Sequence, residues 1–176
     1  MSEPYRAAVL TVSDRTAAGT AVDESGPRLA ELIAGAGFAV AARAVVADDR
    51  QAIAQCLRHW ADVDHVQLIC TTGGTGVALR DVTPEATRDM LDREVPGLAE
   101  AMRAASLAST PLAMLGRAAA GVRGQTLIVN LPGSPKAVGE CFSVVAPVLR
   151  HAVELIAGED SPHRAAPTAA LDTQAT

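Results

Sequence analysis

The sequence predicts an α/β fold built on a mostly parallel sheet. Short apolar runs alternate with amphipathic stretches in the order strand, helix, strand, helix, strand. The runs are apolar throughout rather than alternating, as strands covered on both faces are. Three polar loops follow strand ends, where an open parallel sheet places its ligands. Such a βαβαβ unit implies right-handed crossovers.

The first strand is YRAAVLTVS, residues 5–13. After a glycine-containing loop, Ser25-Gly26-Pro27 supplies a cap and an early proline for a helix carried by Leu29, Leu32 and Ile33, and Gly35 and Gly37 end it. Residues 38–46 form the second strand, and Ile53, Cys56, Leu57 and Trp60 recur at helical spacing across 49–63. VQLICT, residues 66–71, is the third strand. A glycine-rich loop, 71–81, leads to Thr83-Pro84-Glu85, which has the cap, proline and first-turn acid of a helix start. Pro96-Gly97 breaks that helix and 98–107 forms another. A turn at 121–124 precedes a strand over 126–130, and Ser134-Pro135 caps a last helix that runs to about Ile156 and bends at Pro147. The arrangement predicts one domain, residues 1–157, and a flexible tail, 158–176.

The 176 residues are 49% hydrophobic and 20% charged with a net charge of -5, the composition of one ordinary globular domain. Nothing runs basic, so a nucleic-acid or anionic-membrane partner is not expected. Cys56, Cys70 and Cys141 are odd in number and show no CxxC spacing, which suits buried thiols in a reducing compartment. The N-terminus lacks the succession of a signal peptide and no run has the ~18 apolar residues of a membrane span. A cytoplasmic location is expected.

TTGGTG, residues 71–76, removes side chains from Gly73, Gly74 and Gly76 and bares backbone N–H donors, as a phosphate cradle does; taken alone it fits a tight turn as well. No Walker or GxGxxG motif occurs. Lys136 is the single lysine, at an expected helix N-terminus, where a cation opposes the dipole by ~0.3–1 kcal/mol unless an anion is shared between them. It suits an anion site or a solvated first turn. Asp48 and Asp81 are candidates for a divalent cation, although Asp48-Asp49 also suits a helix cap, an ambiguity Asp14 shares. His59, His65, His151 and His163 show no metal-ligand spacing, and no GxSxG elbow supports a hydrolase triad.

Taken together and in order, SDR at 13–15, DESGP at 23–27, TTGGTG with RDVTPEAT through Thr87, and NLPGSPKAV at 130–138 resemble the MogA/MoaB family of molybdenum cofactor biosynthesis, which includes the G domain of gephyrin. The resemblance covers about residues 5–157. It implies a three-layer α/β/α fold, a homotrimer and molybdopterin adenylyltransferase activity, in which ATP and molybdopterin give adenylyl-molybdopterin and pyrophosphate with Mg²⁺ required. It also implies delivery to a downstream molybdenum-insertion enzyme. By similarity Asp48 and Asp81 are the catalytic and Mg²⁺-holding pair. Gly73, Gly74, Thr75 and Gly76 line the nucleotide and pterin-phosphate site. Asn130, Pro132, Gly133, Ser134, Pro135 and Lys136 belong to the same substrate-binding set from the other side, with Ser13 and Asp14 at its edge. Ala47 departs from the proline of many relatives. Metal-insertion enzymes share the fold but carry further domains, and a silent molybdopterin carrier is the alternative from another class.

Overall fold

The computed structural model describes residues 3–158; apart from Gly158, the expected tail lies outside the described residues. Six strands form one sheet in the order β2-β1-β3-β6-β5-β4. The strands β1 (Arg6–Val12), β2 (Ala39–Val46), β3 (Leu68–Thr72) and β6 (Thr126–Leu131) are mutually parallel, whereas β4 (Arg93–Glu94) and β5 (Ala120–Arg123) are antiparallel additions at one edge. From β1 the chain goes to one side for β2 and to the other for β3, so the strand order reverses between β1 and β3. A crevice opens at the carboxyl ends of strands so arranged.

Successive side chains of a strand point to opposite faces, and both faces here are apolar. Ala7, Val9, Leu68, Cys70, Leu127 and Val129 meet α2 (Ser25–Gly35), α5 (Pro96–Leu107) and α6 (Pro135–Ile156). Ala8, Leu10, Val12, Ile69 and Ile128 meet α3 (Arg50–Asp62) and α4 (Thr83–Arg88). The result is the three-layer α/β/α arrangement, with the central strands buried on both sides. α6 runs through Pro147 as one helix. Cys70 and Cys141 are buried and Cys56 is half-buried, all three as free thiols; loss of solvation pushes Cys70 up to about 12.

Local structure differs from the sequence expectation in five places. Pro96-Gly97 does not break the helix begun at Thr83: α4 ends at Arg88, β4 follows, and Pro96-Gly97 forms the first turn of α5, where a proline needs no N–H partner. Residues 121–124 are not a turn: strand β5 occupies most of them, and the reversal falls at Gly124, whose positive φ and bond to the Asp92 carboxylate (2.7 Å) build it. Ser25 does not cap α2; Asp23 does the work from one residue earlier than the helix cap position, its Oδ1 accepting from Gly26 N at 2.9 Å. Thr83 lies inside α4, with its hydroxyl turned back onto the Gly73 carbonyl. Two short helices were not legible, α1 (Asp14–Ala17), capped by Ser13, and a 3-10 helix (Pro111–Leu115), capped by Thr110.

Asn130 on β6 is fully buried and satisfied from three sides. Its Nδ2 donates to Thr71 Oγ1 on β3 (3.0 Å) and Thr87 Oγ1 on α4 (2.9 Å), and its Oδ1 accepts from Ala119 N (3.1 Å). A direct substrate contact is therefore corrected: this amide holds the motif-bearing strands and α4 in register. Asn130→Ala leaves three buried polar groups without their partner, at a cost of about 3 kcal/mol. Urea denaturation should show the midpoint falling with the slope unchanged.

Candidate functional site

The site is built where three loops leave β1, β3 and β6. The loop after β3 is pressed against its neighbours. A Cβ on Gly73 (φ +96°) would stand 2.2 Å from the Val12 carbonyl oxygen, and one on Gly133 would stand 3.2 Å from Gly73 Cα. Gly73 N donates to Leu131 O, Thr72 Oγ1 to Pro132 O, and Thr83 both donates its hydroxyl to Gly73 O and its N–H to Gly74 O. Glycine is needed here for its positive φ and for backbone contact that no side chain permits.

A polar cavity of about 340 Å³ lies over this junction. It is lined by Ser13, Asp14, Gly73, Gly74, Gly133 and Pro135, with Asp48 and Asp81 in the same wall, Asp48 beside Gly74 and Asp81 beside Gly76 of the glycine loop. Asp14 and Asp48 are locked reciprocally: Asp14 N donates to Asp48 Oδ2 and Asp48 N to Asp14 Oδ1, both at 2.9 Å. Oδ1 of Asp48 is turned towards Gly74, where a Cβ would come within 3.1 Å of it. Asp81 Oδ2 accepts from Ala78 N at 2.9 Å and would stand 2.9 Å from a Cβ on Gly76. Asp23, which accepts from Thr11 Oγ1 at 2.8 Å as well as from Gly26 N, lines the same cavity with Glu24.

The wall is acidic, with Asp14, Asp23, Glu24, Asp48 and Asp81 against Arg15 and Arg80. Asp48 feels this directly. Loss of solvation, together with the charges of Asp14 and Asp81, raises its carboxyl above the ordinary range, against the Asp14 N–H and Arg80 that act to lower it. Phosphates would be repelled from such a wall unless a cation came with them. The donor set fits Mg²⁺, which takes one or two carboxylates and completes its shell with substrate phosphates and water. Among the described residues no larger cluster of His, Cys, Asp or Glu forms an all-protein metal cage.

A second cavity, about 510 Å³ and more apolar, adjoins the first through Gly74, Asp81 and Gly133. Thr75, Gly76, Pro132 and Ser134 line it, with Met102, Arg103, Leu112, Leu115 and Cys141. Sequence reasoning found the motif side of this lobe but missed its apolar side, because that side comes from α5, the 3-10 helix and α6 and carries no motif. Thr75 and Ser134 belong to this lobe, and Ser134 also caps α6 through Ala137 N (3.2 Å). Lys136 is placed elsewhere: its side chain is 84% exposed, lies 3.8 Å from Glu140 and lines neither cavity. The first turn of α6 directs it along the helix surface.

The profile of the family described as "Probable molybdopterin binding domain" matches residues 8–151. The chain belongs to the MogA/MoaB family. It is 41% identical over 152 residues to a molybdopterin adenylyltransferase of Helicobacter pylori, an alignment covering 85% of this chain and 86% of that one. It is 47% identical to the molybdenum cofactor synthesis protein cinnamon of Drosophila melanogaster over 86% of this chain, which spans 25% of that larger protein. The crystal structure of the molybdopterin biosynthesis enzyme MoaB from Thermus thermophilus superposes with a TM-score of 0.84 at 52% identity, over 88% of this chain and 98% of that one. The family fold thus agrees with the one described above.

The glycine contacts make a direct forecast. Gly73→Ala, forced to a positive φ and into the end of β1, should destabilise by about 1–3 kcal/mol. Gly97→Ala, on α5 with open space around it, should be neutral or stabilising by roughly 0.5 kcal/mol. Thermal denaturation of the two variants side by side reads the difference.

Proposed function

We propose that the protein is a molybdopterin adenylyltransferase, transferring AMP from Mg-ATP to the terminal phosphate of molybdopterin with release of pyrophosphate. The observation that carries this reading is that Asp48 and Asp81 line one polar cavity beside the glycine loop at the strand-order reversal, with a second, apolar lobe adjoining it. Two joined lobes of different polarity suit two substrates that meet at a phosphate. The family relatives named as molybdopterin adenylyltransferases, similar over most of their length, support it.

The reaction forms a bond from a phosphate oxygen of the pterin to the α-phosphorus of ATP and breaks the bond from that phosphorus to the bridging oxygen of pyrophosphate. The nucleophile is mostly deprotonated near neutral pH because the second pKa of a phosphate is about 6, so no side chain has to take a proton. The chain's task is placement and charge. Asp48 and Asp81 would hold Mg²⁺, which supplies neutralisation of the phosphate charge when bound. The loop 73–76 presents backbone donors to the phosphates, Asp14 orients Asp48, and the apolar lobe receives a ring system and keeps water from the reacting oxygen.

The homotrimer is part of the same proposal. Leu107, Leu112, Met114 and Leu115 are exposed near one another in the chain, and an apolar surface of this kind favours cover by further subunits.

Purified protein incubated with molybdopterin, ATP and Mg²⁺ should release pyrophosphate and yield adenylylated pterin by mass spectrometry. Asp81→Asn, which keeps the volume but removes the charge, should lower turnover by about 100-fold or more while leaving the melting temperature within a few degrees. Unchanged turnover in that variant would sink the mechanism, and pterin binding without adenylylated product would make the protein a carrier.

A further inference from the structure

We infer that Arg117 is a positioning residue for adenylyl transfer, a clamp that holds the glycine loop closed and thereby sets the Asp81 carboxylate. The inference rests on the reading above, in which Asp81 serves the phosphates.

Arg117 stands between the 3-10 helix and β5, outside every motif noted in the sequence, and lines neither cavity. Its guanidinium is committed to the loop. Nε donates to the Gly76 carbonyl at 2.6 Å, one terminal nitrogen donates to the Asp81 carbonyl at 2.5 Å, and both terminal nitrogens reach the Glu85 carboxylate. Its backbone N–H donates to Thr75 O at 2.9 Å. One residue therefore grips the loop at its start and at its end, five residues apart.

The segment gripped has little else to fix it. Residues 76–81 form no helix or strand, and Val77 and Leu79 are exposed. Inside it, Ala78 N donates to Asp81 Oδ2 and Asp81 N to Ala78 O, so the carboxylate is tied to the loop's own backbone and moves with it. Where the loop goes, Asp81 follows. Gly76 and Asp81 are already so near that a Cβ on Gly76 would press the carboxylate.

Glu85, in the first turn of α4, makes the grip directional. Burial acts to raise its carboxyl, yet the bond from Arg117 and the charges of Arg117 and Arg88 bring it below the ordinary range, so it stays ionised and anchors the guanidinium. α4 is itself fixed to the core through Thr87 and Asn130 and to the glycine loop through Thr83. An exposed ion pair would add little. This one is half-buried and shares its donors with two carbonyls, a fork geometry that arginine supplies and lysine, a single point charge, does not.

The experiment compares wild type, Arg117→Lys, Arg117→Ala and Glu85→Gln by amide hydrogen exchange without ligands and by steady-state adenylyl transfer. We expect exchange at Ala78 and Asp81 to quicken about 10-fold or more in the Arg117 variants while the amides of β1 and β3 stay protected. We expect kcat to fall roughly 10- to 100-fold with KM for ATP changed less than about 3-fold, as misplacement of a positioned group does. Glu85→Gln should sit between wild type and Arg117→Lys. Should Arg117→Ala fail to fold, Arg117→Lys and Glu85→Gln carry the test. Wild-type exchange in Arg117→Lys, or quickened exchange with wild-type kcat, overturns the clamp. Failure of the underlying reading shows itself separately, as a wild-type protein that makes no adenylylated product at all.

Discussion

Backbone packed on backbone at Gly73 is the constraint from which the site follows. The loop after β3 rests on the carbonyl that ends β1 and against Gly133 of the loop after β6, with no side chain between them. Parallel pairing of β3 with both β1 and β6 brings these three loop starts to one level, and the reversal of strand order leaves the crevice above them. Shift β3 by a residue and every side chain changes face, taking the glycine contact with it. The buried amide of Asn130, bonded to β3, α4 and the approach to β5, opposes that slip.

Charge is the second theme, and it follows from the same geometry. Asp14 and Asp48 end up locked together because β1 and β2 run parallel and terminate side by side, and Asp81 reaches them from the glycine loop. Like charges so placed are costly unless something cationic joins them. Part of the balance is built in, since each of Asp14 and Asp48 accepts a backbone N–H from the other and Arg80 lies on the same wall. The remainder suits a divalent cation arriving with a nucleotide. On the proposed reading, the polar lobe takes the phosphates and the apolar lobe a ring, and no general base is required.

Much of this was legible in the sequence, for identifiable reasons. Central strands such as 66–71 announce themselves by unbroken apolar runs, and Asp49 and Ser134 cap helices as their positions predict. Asp48, Asp81 and the glycines lie in loops at strand ends, where acids and bare backbone donors occurring in a fixed order point to a phosphate and its metal. What escaped notice depends on contacts distant in sequence. The β5 strand is only four residues long and begins within a stretch of small residues, so its glycines looked like a turn. Asn130 looked like a ligand group because burial is not visible in a motif, and the exposed helix surface onto which α6 turns Lys136 is not visible there either. Arg117 carries no local signal at all, since the partners of its guanidinium lie 32 to 41 residues away.

The most direct test of the central claim is calorimetric titration of ATP into the protein with Mg²⁺ and with a chelator, for wild type and for Asp48→Asn with Asp81→Asn. If the acidic pair exists to admit phosphates through a cation, wild type should bind ATP at least about 10-fold more tightly with Mg²⁺, and the doubly substituted protein should lose that dependence and bind metal-free ATP no worse than wild type does. Equal affinity of wild type with and without Mg²⁺ would contradict the account.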